Sequence, residues 1–245
     1  MPSIGLGTYG LRGQEGINVI RKALDVGYRH IDTAEFYENE AEVGQALSTS
    51  SVARKEIFIT TKVWPNHFQR KDFLTSEENS LRRLKTGYID LLLLHWPNDE
   101  VPLGQPLGAL EKLIADGKVR NGGVSNFSVT QMKEARHLVS TVVSGNQVEC
   151  HLGLVPKDII HYATEHSIAI TAYSPLDKGA ITTQQDLREL AKKYDKTEAQ
   201  IALRWLTQQG IAVIPKTKTY KRLEENLESE QFLLNDEDID LLGRL

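Results

Sequence analysis

Four side chains that can hold or move a proton follow short apolar stretches of the sequence. Asp32 ends the stretch YRHID, Lys62 ends ITTK, and His95 ends LLLLH, while Tyr37 comes shortly after Asp32. An ammonium inside an apolar stretch must reach water or find a partner, and a carboxylate is such a partner. If the fold brings these side chains together, the phenol of Tyr37 becomes a general acid beside a positive charge.

We expect the charge of Lys62, about 4 Å away, to lower the pKa of Tyr37 by up to about three units, less whatever burial restores. His95 is expected to orient a substrate oxygen as a neutral hydrogen-bond donor. Such a group can protonate a carbonyl oxygen, but the hydride must come from a nicotinamide.

Each residue also has an ordinary structural explanation. An aspartate after a strand is usually a turn residue or a helix cap, and a histidine after four leucines is often a satisfied core residue. Convergence at the ends of neighbouring strands would favour chemistry over these explanations.

The elements that must position these residues alternate regularly along the chain. Apolar or β-branched runs alternate with amphipathic stretches of helical period, so that eight strands are each followed by a helix. This pattern predicts a parallel α/β sheet, and 245 residues is the size of a single-domain (β/α)₈ TIM barrel over residues 1–245. The predicted strands are 4–9, 28–32, 57–63, 89–95, 119–124, 147–149, 169–173 and 212–214. The predicted helices are 16–26, 41–47, 73–84, 107–115, 130–138, 157–166, 197–206 and 220–227, with extra helices at 187–194 and 236–242.

An open doubly wound sheet is the rival fold, because Gly5, Gly7 and Gly10 match the dinucleotide-binding pattern GxGxxG and Asp32 follows at a suitable distance. The rival is weak, since only four residues precede Gly5 and no helix opens at Gly10. In a barrel enzyme the site instead lies at the carboxyl ends of the strands. Polar, ionisable or aromatic residues close every predicted strand: Thr8, Tyr9, Asp32, Lys62, His95, Ser125, Asn126, Gln147, Glu149, Tyr173, Ser174 and Lys216.

The segments HIDTAEFYENE, TTKVW, DLLLLHWP, GVSNF, QVECH, AYSPL and IPKTKTYKRLEEN occur in this order over nearly the whole chain. Together they resemble the aldo-keto reductase superfamily, and within it the bacterial 2,5-diketo-D-gluconate reductase and methylglyoxal reductase type. That family is a (β/α)₈ barrel that reduces aldehydes and ketones with NADPH. The resemblance implies a catalytic tetrad of Asp32, Tyr37, Lys62 and His95, with Tyr37 as the proton donor.

The resemblance also implies a site for NADPH or NADP⁺. Ser125, Asn126 and Gln147 would bind the carboxamide, and the nicotinamide would stack on Tyr173, which is otherwise an ordinary strand-end aromatic. The positive charges of Lys216 and Arg222 suit a 2′-phosphate, although a solvated helix start is the simpler explanation without the resemblance. The full set of expected cofactor residues is Thr8, Ser125, Asn126, Gln147, Tyr173, Ser174, Leu176, Lys216, Thr217, Arg222, Glu225 and Asn226.

The expected substrate is a small carbonyl compound, and Tyr9, Trp64 and Trp96 would line an apolar mouth beside His95, unless they are structural aromatics. The N-terminal hairpin and long C-terminal segment of many relatives have no counterpart in the sequence, so we expect an open pocket. No metal is expected, because adjacent residues of the cluster around Cys150 point to opposite faces of a strand.

Composition limits the remaining possibilities. A net charge of −4 gives no basic surface for nucleic acid, and no apolar run approaches the roughly 20 residues that span a bilayer. A single cysteine and the absence of a recognisable secretion signal favour a cytoplasmic protein without membrane partners, and the family expectation is a monomer. Two other functions stay open: a redox-sensing module that binds the cofactor with little turnover, and a sugar-phosphate isomerase on the same barrel.

Overall fold

The computed structural model describes residues 1–139 and 142–245, and its centre is a parallel sheet of eight strands in chain order. Sequential order excludes the doubly wound alternative, whose strand order reverses at a switch point. The register pairs Asp32 with Thr60, Lys62 with Leu93 and Ser125 with Gln147, so the carboxyl ends of the strands share one face. The strands are β1 (Leu6–Gly7), β2 (His30–Asp32), β3 (Phe58–Val63), β4 (Ile89–Leu94), β5 (Val119–Ser125), β6 (Gly145–Glu149), β7 (Ala169–Tyr173) and β8 (Ala212–Val213).

Backbone hydrogen bonds join the two ends of this sheet. The N–H of Gly5 donates to the carbonyl of Val213 over 2.8 Å, and the N–H of Val213 donates to the carbonyl of Ser3 over 2.7 Å. A side-chain carbon at Gly5 would lie 2.6 Å from Nδ1 of His30, and one at Gly7 would lie 2.6 Å from the carbonyl oxygen of Ile214. These glycines therefore permit close strand packing, rather than forming the phosphate loop that their spacing suggests.

Helices follow the strands and cover the sheet. They are α1 (Gly13–Val26), α2 (Glu40–Ser48), α3 (Arg70–Leu84), α4 (Gly104–Ala115), α5 (Val129–Leu138), α6 (Lys157–Glu165), α7 (Gln185–Tyr194), α8 (Glu198–Gln208), α9 (Tyr220–Glu228) and α10 (Asp236–Leu242). All the predicted strands and helices are confirmed. Their boundaries agree within three residues at the helix ends, although the outermost strands are shorter than predicted.

Helix α1 illustrates how sequence pattern becomes packing. Val19, Ile20, Ala23 and Leu24 recur at helical spacing and are buried together. Gly27 ends the helix with φ of 117°, a left-handed conformation that glycine adopts without strain. Among the described helices, none is both long enough and apolar enough to cross a bilayer.

Candidate functional site

A fully buried ion pair lies beneath the carboxyl ends of the first strands. The ammonium of Lys62 donates to Oδ1 of Asp32 over 2.6 Å and to the carbonyl of Thr33 over 2.9 Å. The amide of Gln147 donates to the other Asp32 oxygen over 2.7 Å. Both oxygens of the carboxylate are thus hydrogen-bonded, as a buried charge requires.

Tyr37 and His95 lie directly above this pair. The ring centroid of Tyr37 is 5.1 Å from the Lys62 ammonium and 5.7 Å from the ring centroid of His95. The structure therefore brings all four predicted tetrad residues into one group at the carboxyl ends of β2, β3 and β4.

The protonation states follow from burial and neighbouring charge. Burial alone would lower the pKa of Lys62, but Asp32 and then Tyr37 outweigh it and raise the pKa, so the ammonium stays charged. Burial raises the pKa of Tyr37 by more than Lys62 lowers it. The expected lowering of the phenol pKa is therefore wrong, because removing the phenolate from water costs more free energy than its attraction to the ammonium of Lys62 provides.

His95 is held as a neutral imidazole. Burial, followed by the charge of Lys62, lowers its pKa to about 3. Its buried Nδ1 has no hydrogen-bond partner in residues 1–139 and 142–245. This agrees with the prediction of a neutral histidine at neutral pH.

Tyr37 sits on a single 3₁₀ turn, Glu35–Tyr37, between β2 and α2. After the C-terminal end of the turn, the buried amide of Asn39 donates to the carbonyls of Thr8 and Leu11 over 2.7 and 3.0 Å. The guanidinium of Arg12 donates to the carbonyl of Tyr37 over 3.1 Å. Contacts from outside the turn therefore fix its direction, because three residues of 3₁₀ helix supply few bonds of their own.

Aromatic side chains surround the opening above the tetrad. The rings of Phe36 and Trp64 stack with centroids 4.0 Å apart, and Trp64 meets His95 edge-on at 5.1 Å. Tyr9, which is 61% exposed, packs its ring 5.1 Å from that of Tyr37. Trp96 is 43% exposed and makes none of these described ring contacts. Of the aromatic residues predicted to line the opening, it is the one that lies outside this cluster of rings.

The residues expected at the nicotinamide end form one hydrogen-bonded set. The amide of Asn126 donates to Oγ of Ser125 and to the carbonyl of His95, each over 3.1 Å, and the phenol of Tyr173 donates to Oδ1 of Asn126 over 3.0 Å. The hydroxyl of Ser125 donates to the carbonyl of Gln147 over 2.9 Å. Thr8 is also buried here, with its hydroxyl bonded to the carbonyl of Asp32 over 2.9 Å.

The residues expected at the adenosine end lie around β8 and the start of α9. Lys216 and Arg222 are exposed, whereas Thr217 and Asn226 are buried. No side chain caps the first turn of α9, so its N–H groups are available to an anion. Glu225 pairs with Lys221 over 3.1 Å. Ser174 and Leu176 are half-buried in the loop after β7.

Sequence reasoning missed several residues of this region. Gln147 was expected only at the carboxamide, yet it also holds Asp32. Glu35, Phe36 and Asn39 fall in the quoted segment HIDTAEFYENE, but only the folded turn reveals what they contact. Among the described residues, no group of three or more histidine, cysteine, aspartate or glutamate side chains could hold a metal ion, and the expectation of no metal stays a prediction. Cys150 is buried, and burial raises the pKa of its thiol to about 12, so it is no nucleophile.

Known proteins with similar sequence or structure cover almost the whole chain. The sequence model of the Aldo/keto reductase family matches residues 3–245. Methylglyoxal reductase DkgB of Yersinia pestis is 38% identical over 248 residues, which cover 100% of this chain and 93% of the relative. Glyoxal reductase of Bacillus subtilis (strain 168) is 39% identical over 246 residues, which cover 100% of this chain and 88% of the relative. Among solved structures, a mutant of Gox0644 in complex with NADPH is 33% identical with a TM-score of 0.93, covering 100% of this chain and 89% of that one.

Proposed function

Because the chain belongs to the aldo/keto reductase family, we propose that it reduces small aldehydes and ketones to alcohols with NADPH as the hydride source. The observation that carries the proposal is the fully buried Lys62–Asp32 pair, 2.6 Å apart, with the rings of Tyr37 and His95 above it. Burial of an ammonium costs free energy. Stabilisation of a phenolate is a function that accounts for its position here.

The residues act in a definite order in this proposal. NADPH, when bound, supplies the hydride that adds to the carbonyl carbon. His95, neutral because its pKa is about 3, donates a hydrogen bond to the carbonyl oxygen. Tyr37 then gives its phenolic proton to that oxygen, and the ammonium of Lys62 stabilises the phenolate left behind.

The raised pKa of Tyr37 is compatible with this role. A raised pKa keeps the phenol protonated at neutral pH, so the proton is present when substrate arrives. The oxygen that receives it becomes an alkoxide after hydride addition, which is a stronger base than a phenolate. The direction of proton transfer is therefore set by the substrate oxygen.

The preference for NADPH over NADH rests on the exposed charges of Lys216 and Arg222 beside the uncapped start of α9. Ser125, Asn126 and Gln147 would hold the carboxamide, Tyr173 the face of the nicotinamide, and Thr217, Glu225 and Asn226 the adenosine. Thr8, Ser174 and Leu176 complete the cofactor set. The solved structure of a Gox0644 mutant of similar fold is a complex with NADPH, which supports the use of a nicotinamide cofactor.

Small dicarbonyl compounds are the proposed substrates, because relatives of similar length are methylglyoxal and glyoxal reductases. Keto-sugar acids are the alternative that the sequence resemblance adds. Tyr9, Trp64 and Trp96 would line the opening. We also infer that the sheet closes as a single (β/α)₈ barrel domain, which the hydrogen bonds between Gly5, Val213 and Ser3 support, and that the protein acts as a monomer.

The function is tested by measuring the consumption of NADPH, and separately that of NADH, with methylglyoxal, DL-glyceraldehyde and a keto-sugar acid as substrates. The proposal predicts turnover with NADPH and a lower Kd for NADPH than for NADH. Binding of NADPH with no turnover would favour a sensing module instead. Failure to bind either nucleotide would contradict the proposed function outright.

A further inference from the structure

The carboxylate of Glu35 connects three separate parts of the chain. Its side chain is only 9% exposed. It accepts hydrogen bonds from the backbone N–H of Trp64, after β3, and from the hydroxyl of Ser76, on α3. Nδ1 of His67 lies 3.0 Å from the same carboxylate. Glu35 thus ties the turn after β2 to the loop after β3 and to a helix behind it.

The next residue of the turn contacts the same tryptophan. Phe36 stacks on the ring of Trp64 with centroids 4.0 Å apart and planes inclined by 14°. Adjacent residues of the turn therefore hold Trp64 by its backbone and by its ring. Trp64 in turn packs edge-on against His95 at 5.1 Å.

The residue after that is Tyr37, so any rotation of the turn moves the phenol. Within the turn, the N–H of Tyr37 donates to the carbonyl of Ala34 over 3.1 Å, and the N–H of Glu38 donates to the carbonyl of Glu35 over 3.1 Å. Two such bonds do not fix the direction of a three-residue turn. Asn39 anchors the C-terminal side of the turn, and the largely buried carboxylate of Glu35 anchors its N-terminal side.

We propose that Glu35 is a positioning residue of the reductase. It holds the proton donor Tyr37 in place, and it holds the stacked rings of Phe36 and Trp64 against the ring of His95. The proposal rests on the proposed function where it concerns turnover. It goes beyond that function in assigning the orientation of the donor to a carboxylate outside the tetrad. A misplacement of about 1 Å at a reacting group can lower the rate by about a hundredfold.

The test compares Glu35→Ala and Glu35→Gln with Glu38→Gln as the matched control. Glu38 directly follows the same turn, but its side chain is 74% exposed, and within the described parts of the chain its ion-pair partner is the exposed Arg12, from which a glutamine oxygen can still accept. Glu35→Ala is expected to lower kcat for methylglyoxal at saturating NADPH by about ten- to a hundredfold, with the Kd of NADPH changed less than about twofold. Glu35→Gln should recover most of kcat, because the amide oxygen still accepts from the N–H of Trp64, leaving a loss below about tenfold. Glu38→Gln should match the wild type.

A second readout needs no turnover. The stacked pair of Phe36 and Trp64 is expected to contribute to the near-ultraviolet circular dichroism spectrum, and Glu35→Ala should diminish this contribution whereas Glu35→Gln should keep it. If wild type reduces nothing, the proposed function fails, and this signal still decides whether Glu35 anchors the turn. If Glu35→Ala does not fold, Ser76→Ala removes one contact of the carboxylate and should lower kcat in the same direction.

The proposal would be overturned by equal kcat in Glu35→Ala and Glu38→Gln, by a loss confined to KM, or by a near-ultraviolet signal that Glu35→Ala leaves intact. A fall in kcat that Glu35→Gln does not relieve would also contradict it, because a positioning contact should return with the acceptor oxygen.

Discussion

Gln147 donates a hydrogen bond of 2.7 Å to Asp32 across 115 residues of sequence, and both side chains are buried. One oxygen of Asp32 therefore accepts a hydrogen bond from Gln147, and the other accepts one from the ammonium of Lys62. The carboxylate is held from two sides, so that the ammonium has a fixed partner below the phenol of Tyr37.

Breaking this ion pair should cost stability as well as activity. Asp32→Asn leaves the ammonium of Lys62 buried without a charged partner, and loss of one member of a buried pair typically costs about 3–5 kcal/mol. Urea unfolding measures the free energy of unfolding. The control is Asp116→Asn, which removes an exposed pair with Lys112 and should cost less than about 1 kcal/mol. Equal losses of unfolding free energy in the two variants would show that the buried pair contributes no more to stability than the exposed pair.

His95 should remain neutral throughout the pH range in which the protein is active. Because burial lowers its folded pKa to about 3 from 6.5, the folded protein gives up a proton that the unfolded chain binds. The contribution of His95 to stability is thus lost as pH falls from 6.5 towards 3. Nitrogen-15 NMR should show no titration of the His95 ring above pH 5. A midpoint near the ordinary histidine value would contradict the burial of the ring.

Glu77 should make the protein less stable as pH rises. Neither of its carboxylate oxygens has a hydrogen-bond partner within the described parts of the chain. Burial raises its pKa from 4.5 to about 7, against a smaller lowering by Lys118, with Glu78 and Asp116 as the other charges that act on it. The folded state therefore keeps a proton that the unfolded state has lost, and its stabilising effect, present below pH 4.5, disappears as pH rises through about 7.

The variant Glu77→Gln should remove this dependence. Between pH 5 and 8 the wild type is expected to lose up to about 3 kcal/mol of unfolding free energy from this group. Glu77→Gln should lose less over the same interval, whereas Glu134→Gln, at an exposed position of α5, should behave as the wild type. Parallel pH curves for wild type and Glu77→Gln would show that the carboxyl group does not carry the effect.

Positive charge at the start of α9 should make the protein bind NADPH more tightly than NADH. Replacement of Lys216 or Arg222 by Met removes a positive charge from the proposed 2′-phosphate site, and one such contact is worth about 1.5–3 kcal/mol. The Kd of NADPH should rise by about tenfold or more, with the Kd of NADH almost unchanged. Lys55→Met, at an exposed lysine of the 3₁₀ turn before β3, is the control. An equal rise in both Kd values would place these residues elsewhere on the cofactor.

The sequence made some parts of this molecule predictable for physical reasons. Lysine inside an apolar run is rare, so Lys62 pointed to a buried partner before the fold was known. Eight alternating elements likewise implied a parallel sheet in chain order. The pKa of Tyr37 was predicted in the wrong direction, because burial of a phenol in a loop depends on tertiary packing that the sequence pattern does not give.

Glu35 and Glu77 were missed for the same kind of reason. Acidic residues in a turn or on a polar helix usually face water, and only the packed structure shows these carboxylates to be enclosed. The roles of Lys216, Arg222 and the other cofactor residues stay predictions, since they depend on a ligand.

The most direct test of the central claim is turnover of methylglyoxal with NADPH by wild type and by Tyr37→Phe, together with the Kd of NADPH for each. Loss of the phenol removes the proposed proton donor and leaves the ring in place, so kcat should fall by about 10²- to 10⁴-fold while Kd stays within about twofold. Tyr88→Phe, whose ring lies between Arg54 and Arg120, should keep the wild-type kcat. A Tyr37→Phe variant that retains wild-type kcat would contradict the assignment of Tyr37 as the general acid.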